Sequence, residues 1–116
     1  MPLDLRPRVY VAGPYTDGDP VLNVRAAVAA CQALYARGYL PFCPHLYHLW
    51  HTIAPADYEQ WMDLCLAWIE ACDLLLLLPG DSPGAAREVA KMKALGRPVY
   101  TDIEALVAAH PTTPRP

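Results

Sequence analysis

The stretch Cys72-Asp73-Leu74-Leu75-Leu76-Leu77-Leu78-Pro79-Gly80-Asp81-Ser82-Pro83-Gly84-Ala85-Ala86-Arg87-Glu88 decides the architecture. Five leucines in a row, with no polar residue to alternate against, read as a strand buried on both faces, the usual condition in a parallel sheet, and such a strand is central. Residues 80–84 then form a turn and residues 85–95 read as a helix. A glycine-rich turn between a buried strand and a helix N-terminus leaves backbone N–H groups free at the carboxyl end of the sheet, where open α/β folds bind their ligands. Glu88 stands in the first or second turn of that helix. By its spacing alone it reads as an ordinary first-turn glutamate favoured by the helix dipole or serving as a capping-box partner.

Working outward, residues 57–71 read as a helix opened by Asp57 as N-cap, with Trp61, Leu64 and Trp68 on its buried face and Cys65 and Cys72 beside them. After the Gly96 stop, residues 97–101 give a last strand and residues 102–110 a short closing helix. At the front, Val9-Tyr10-Val11-Ala12-Gly13 is a first strand that ends in the turn Gly13-Pro14, and residues 21–37 carry apolar side chains at helical spacing up to Gly38. Residues 39–43 are short and interrupted by Pro41, which suits an edge strand. Residues 44–51 hold three histidines and two large aromatics without a strand period, and read as a loop lining a small-molecule pocket. Alternating strands and helices with short turns make an α/β fold: one domain over residues 1–110, with a doubly wound parallel sheet of four to five strands in flavodoxin-like order and helices on both faces. Residues 111–116 are expected to be a flexible tail with nothing to pack. The turns after Gly13 and after Gly80 both fall at the carboxyl edge, where they can face one ligand.

Composition sets the partners. In 116 residues, 54% are hydrophobic and only 18% charged, more apolar surface than a small monomer can hide, so a homodimer or larger homo-oligomer is expected. A formal charge of −3 without a basic stripe argues against a nucleic-acid polymer or an anionic membrane as partner. The absence of a signal-like leader or a membrane-length apolar run leads to the expectation of a cytoplasmic protein. Cys31, Cys43, Cys65 and Cys72 form no CxxC pair and read as reduced, mostly buried thiols.

Several chemistries are disfavoured by spacing. The loop after the first strand lacks both GxGxxG and GxxxxGK[ST], so no nicotinamide or ATP cofactor is expected. His45, His48 and His51 recur every three residues, but Pro44 and Pro55 bracket them and no HExxH motif is present, so no metal is expected. Ser82, the only serine, is followed by Pro83, which has no N–H to serve as an oxyanion donor; it reads as a helix N-cap or a ligand hydrogen-bonder.

With Tyr10-Val11-Ala12-Gly13-Pro14-Tyr15 in front and Cys72-Asp73, Leu77-Leu78-Pro79-Gly80 and Ser82-Pro83-Gly84-Ala85-Ala86-Arg87-Glu88 behind, the chain resembles the nucleoside 2-deoxyribosyltransferase superfamily, most closely its small YIAGP … CD … LLPG … SxGAxxE relatives. The resemblance runs from Arg8 to about Thr101. It implies a flavodoxin-like fold, a homo-oligomer, and an N-glycosidic-bond enzyme, transferase or hydrolase, that acts on 2′-deoxynucleosides or their 5′-monophosphates without a cofactor. It also implies roles: Glu88 as the nucleophile at the anomeric carbon, Tyr10 orienting that carboxylate, and Ser82 on the sugar or phosphate. Gly13, Pro14 and Tyr15 would cradle the 5′ end of the ligand, with Gly84 in the turn that presents the nucleophile.

Where active relatives carry an aspartate, eight residues before the Asp of the CD pair, this chain has Cys65, and Asp63 lies on the other side of that helix. Two outcomes follow: His45 or Asp73 takes over proton delivery to the leaving base, or the protein is a nucleoside- or nucleotide-binding module of weak or no turnover. A structural oligomer subunit without ligand is a third. No Lys or Arg follows Gly13 until Arg25, which favours uncharged ligands over phosphorylated ones.

Overall fold

The alternation of side chains along two neighbouring strands organises the molecule. In the computed structural model, which describes residues 3–114, strand β1 (Arg8–Ala12) pairs in parallel with β3 (Leu74–Leu77), Tyr10 opposite Leu75 and Ala12 opposite Leu77. Val9, Val11, Leu74 and Leu76 face one way, into a cluster with Ala27, Leu34, Tyr39 and Leu106. Tyr10, Ala12 and Leu75 face the other way, into a cluster with Cys65, Ile69, Ala85 and Met92. Both faces of the leucine run are buried, which is why it shows no polar alternation.

Two further strands complete the sheet, β2 (Leu40–Phe42) beside β1 and β4 (Val99–Tyr100) beside β3, all parallel, in the order β2-β1-β3-β4. The doubly wound order expected from the sequence is present with four strands, and the Pro41 strand lies at an edge. Helix α1 (Pro20–Ala36), capped by the Asp19 carboxylate, packs on the first face together with α5 (Ile103–Ala109). Helices α3 (Tyr58–Ile69) and α4 (Pro83–Ala94) cover the second.

Three expectations are corrected. Residues 44–53 are not a loop: a 3₁₀ turn at Pro44–Leu46 leads into helix α2 (Tyr47–Ile53). No side chain caps that helix, so the usual start signal is missing from the sequence; its first turn is instead prepared by Pro44. Helix α3 buries Met62, Cys65 and Ile69, not Trp61, Leu64 and Trp68; Trp68 is 45% exposed. Both sets recur at i, i+3, i+7, and the helix settles one residue round from the expected phase. The segment after α5 also has something to pack on. Thr112 Oγ1 donates to the Arg37 carbonyl at 2.7 Å and the Tyr39 hydroxyl donates to the His110 carbonyl. Gly38, at φ +99°, admits this segment, because a Cβ there would come within 2.2 Å of the Thr113 oxygen. Residues 115–116 of the expected tail and residues 1–2 of the lead-in lie outside the described residues.

Candidate active site

The two glycine turns meet at the carboxyl edge of the central strands. Gly80 has φ +116°, and a Cβ on it would lie 2.6 Å from Pro14 Cγ, so the turn after β3 rests directly on the turn after β1. Gly13 is equally confined, since its Cβ would meet Leu78 Cβ at 2.9 Å. Beside this seam opens a cavity of about 600 Å³, a size suited to a small organic ligand, walled by the Gly13–Asp17 turn, the histidine segment, α3 and the start of α4.

Glu88 lies on its wall. Ser82 Oγ accepts from the Ala85 N–H at 3.0 Å, which starts α4 at the edge of the cavity, and the second turn then carries Glu88 inward, only 6% exposed. Tyr10, on the sheet face that α4 covers, is fully buried behind it and donates its hydroxyl to Glu88 Oε2. The phenol ring is fixed by stacking on Phe42, with centroids 5.5 Å apart. Burial pushes the Glu88 carboxyl up to about 7, against the opposing pull of the Tyr10 hydrogen bond and of His45. Tyr10 itself is pushed well above the ordinary phenol range, first by burial and then by the adjacent carboxylate, so it stays a donor at any working pH. Removing that donor in Tyr10→Phe is expected to move the Glu88 titration above about 7, and a ¹³C NMR titration of the carboxyl carbon would read it. A midpoint that stays put or falls would contradict the role of this hydrogen bond.

The other residues singled out in the sequence divide into three groups. Gly13, Tyr15, His45, Ser82 and Gly84 line the cavity with Glu88. Pro14 contributes no wall; its carbonyl accepts from His45 Nε2 at 2.9 Å and so holds that ring. Asp73 is a correction. Its N–H donates to the Arg8 carbonyl and its Oδ2 accepts from the Arg8 N–H, both at 2.8 Å, which places it at the amino edge of the sheet. The length of β1, roughly 13 Å at the rise of a strand, separates it from the cavity, so it can neither bind there nor deliver a proton.

His45 is 5% exposed. Burial alone would disfavour its charge, but the Cys43 thiol, the Pro14 carbonyl and Glu88 outweigh that and raise its pKa above the ordinary value. Its Nδ1 is buried without a hydrogen-bond partner. Cys65 also lies on the wall, close to Tyr10 and Glu88, and burial pushes its thiol up to about 11. Asp63 is exposed on the far side of α3. Trp61, Tyr58 and Met62 line the cavity too, and the sequence reading missed them because it assigned Trp61 to the core. The signal was the position of Trp61, one turn before Cys65 on the same helix side. Among the described residues no cluster of three or more His, Cys, Asp and Glu is arranged to hold a metal ion. Among the described residues no Lys or Arg lines the cavity, whereas Asp17 and Glu88 do.

Comparison with known proteins agrees with this architecture. Among solved structures the chain is similar to a protein described as a 2-deoxyribosyltransferase from the psychrotolerant bacterium Bacillus psychrosaccharolyticus. The two share a TM-score of 0.59 and 22% identity over 83% of this chain and 75% of that one, a likeness of fold. No curated protein sequence matches the chain. The family profile DUF7768, a domain of unknown function, matches residues 7–102, all four strands and every helix but α5. On that match the chain belongs to the DUF7768 family.

Proposed function

We propose that this protein is a member of the nucleoside 2-deoxyribosyltransferase superfamily that breaks the N-glycosidic bond of 2′-deoxynucleosides, with Glu88 as nucleophile and either water or a second base as acceptor. One observation carries the reading: a nearly buried carboxylate on the wall of a nucleoside-sized cavity, with one oxygen held by a buried phenol. Breaking the C1′–N bond builds oxocarbenium character on the sugar, and a carboxylate beneath the ring both stabilises that charge and traps it as an ester. Tyr10 holds Oε2, which leaves Oε1 to form the ester bond.

In this reading the Gly13–Tyr15 turn, Ser82 and Gly84 meet the sugar, and the aromatic and imidazole wall formed by Tyr47, His51 and Trp61 meets the base. Pro14 acts through His45. Free nucleosides are favoured over 5′-monophosphates, because a phosphate would meet Asp17 and Glu88 and, among the described residues, no Lys or Arg on the wall. No helix among the described residues is long and apolar enough to cross a membrane; a cytoplasmic homo-oligomer is the accompanying proposal, supported by exposed Leu49, Trp50, Ile53 and Trp68.

Cys65 favours a second reading, a binding module of little turnover, since a thiol at about 11 is a poor acid for a departing base. Incubation with a panel of 2′-deoxynucleosides, with and without a second free base, separates the two. Released or exchanged base is expected. Calorimetric binding of the same nucleosides without any release, at high protein concentration, would replace the first reading by the second.

A further inference from the structure

We propose that His51 is the hydrogen-bond donor to the departing base, an inference that rests on the glycosyl-transfer reading above. Its ring orientation is set by two groups that can only donate. Trp61 Nε1–H at 2.9 Å and the Ala56 backbone N–H at 3.3 Å both end on His51 Nδ1. Nδ1 therefore holds the lone pair and the ring proton sits on Nε2. His51 lines the cavity, and among the described residues its Nε2–H makes no hydrogen bond. The neighbouring imidazoles differ. His45 uses its Nε2–H on the Pro14 carbonyl, and His48 shares Nδ1 with the Tyr15 hydroxyl, which can donate or accept and so fixes no tautomer.

Placement agrees with this chemistry. Trp61, which holds His51, and Cys65, which lies against Tyr10 and Glu88, are four residues apart on α3, about one helical turn. A sugar set over Glu88 thus puts its base toward the Trp61–His51 pair. Trp61 is itself braced by stacking on Tyr47, with centroids 5.8 Å apart, so the donor is held by a rigid aromatic support.

The step balances without an acid. The C1′–N electron pair leaves with the base, and a bond from Glu88 Oε1 to C1′ forms in its place. The base departs as an anion with a lone pair hydrogen-bonded to His51 Nε2–H, and takes a proton from water on release. Water, giving its proton to the hydroxide left by that protonation, or a second base as its anion then bonds to C1′, and the C1′–Oε1 electron pair returns to Glu88 as carboxylate. His51 keeps its proton throughout, so its work is electrostatic: it meets charge that develops in the transition state. The substrates it favours are bases that leave poorly as anions.

The test compares 2′-deoxyuridine with 5-fluoro-2′-deoxyuridine, whose base is a better anionic leaving group, in wild type, His51→Ala and His51→Gln. Loss of one such donor is expected to lower kcat on deoxyuridine on the order of 10²-fold and to lower it much less on the fluorinated substrate. His51→Gln, which keeps an acceptor for Trp61 and an N–H for the base, is expected to recover part of the loss, and it carries the test should His51→Ala fail to fold. Equal losses on both substrates, or no loss on either, in a wild-type protein that cleaves them overturns this inference and leaves the glycosyl reading standing. A wild type that releases base from no 2′-deoxynucleoside of the wider panel overturns both.

Discussion

Base release from 2′-deoxynucleosides is expected to fall on the order of 10⁴-fold or more in Glu88→Gln, in a protein that still folds cooperatively. Glutamine has nearly the shape of glutamate and can still accept from the Tyr10 hydroxyl, so the change removes the nucleophile and little else. The wild-type pH profile is the companion measurement. Burial holds the Glu88 carboxyl at about 7 in the free protein, and attack needs the ionised form, so kcat/KM should rise with pH through that region and level off above it. A rate that falls over the same interval would mean that Glu88 works as an acid, and a fully active Glu88→Gln would remove it from the chemistry altogether.

The same substitution is expected to stabilise the fold in a pH-dependent way. In the folded protein the carboxyl binds its proton up to about 7, whereas a glutamate in the unfolded chain titrates at 4.5. Between those values the folded state holds more protons than the unfolded one, so stability declines as pH rises across the window. The contribution is fully present below 4.5 and lost above about 7. At about 1.4 kcal/mol per pH unit the span from 4.5 to about 7 comes to about 3 kcal/mol. Glu88→Gln carries no such charge, so it should gain about that much over wild type at pH 8, on the order of 10 °C in melting temperature for a chain of this size, and almost nothing at pH 4. A difference that does not change with pH would show that the buried carboxylate is not what strains the site. A gain of this kind, at the expense of activity, is the usual trade at an active site.

Cys65 gives the two readings of the cavity their physical content. Its thiol touches the Tyr10–Glu88 pair, yet burial leaves it protonated and weakly acidic, so it can shape the pocket without delivering a proton. The donor needed by a departing base must come from elsewhere on the wall. Asp73, once a candidate from its place in the Cys72-Asp73 pair, is spent on Arg8 at the opposite edge of the sheet. The imidazole wall of α2 remains.

The order of elements was legible because burial on two faces and glycine punctuation are written in composition. Leu74 to Leu77 need no partner to declare a buried strand, Pro41 declares an edge, and Gly80 declares the turn that leads to α4. The pairing register of β1 and β3, which sets Tyr10 and Leu75 on one face, is not written in either strand alone. Helix α2 was hidden because none of its residues is fully buried and no side chain caps its start. The phase of α3 was undecidable from the sequence, since two apolar sets one residue apart satisfy the same spacing and only the shape of the sheet face selects Met62, Cys65 and Ile69.

The sequence by itself determined a parallel α/β layer of four to five strands with glycine turns at its carboxyl edge, because local chain stiffness and the period of burial act over a few residues at a time. Only the tertiary structure decided that Glu88 meets Tyr10, 78 positions away, that Asp73 points to the opposite edge, and that Trp61 fixes the proton of His51. Those are contacts between elements, set by how two helices rest on one face of a twisted sheet, and no spacing along the chain encodes them.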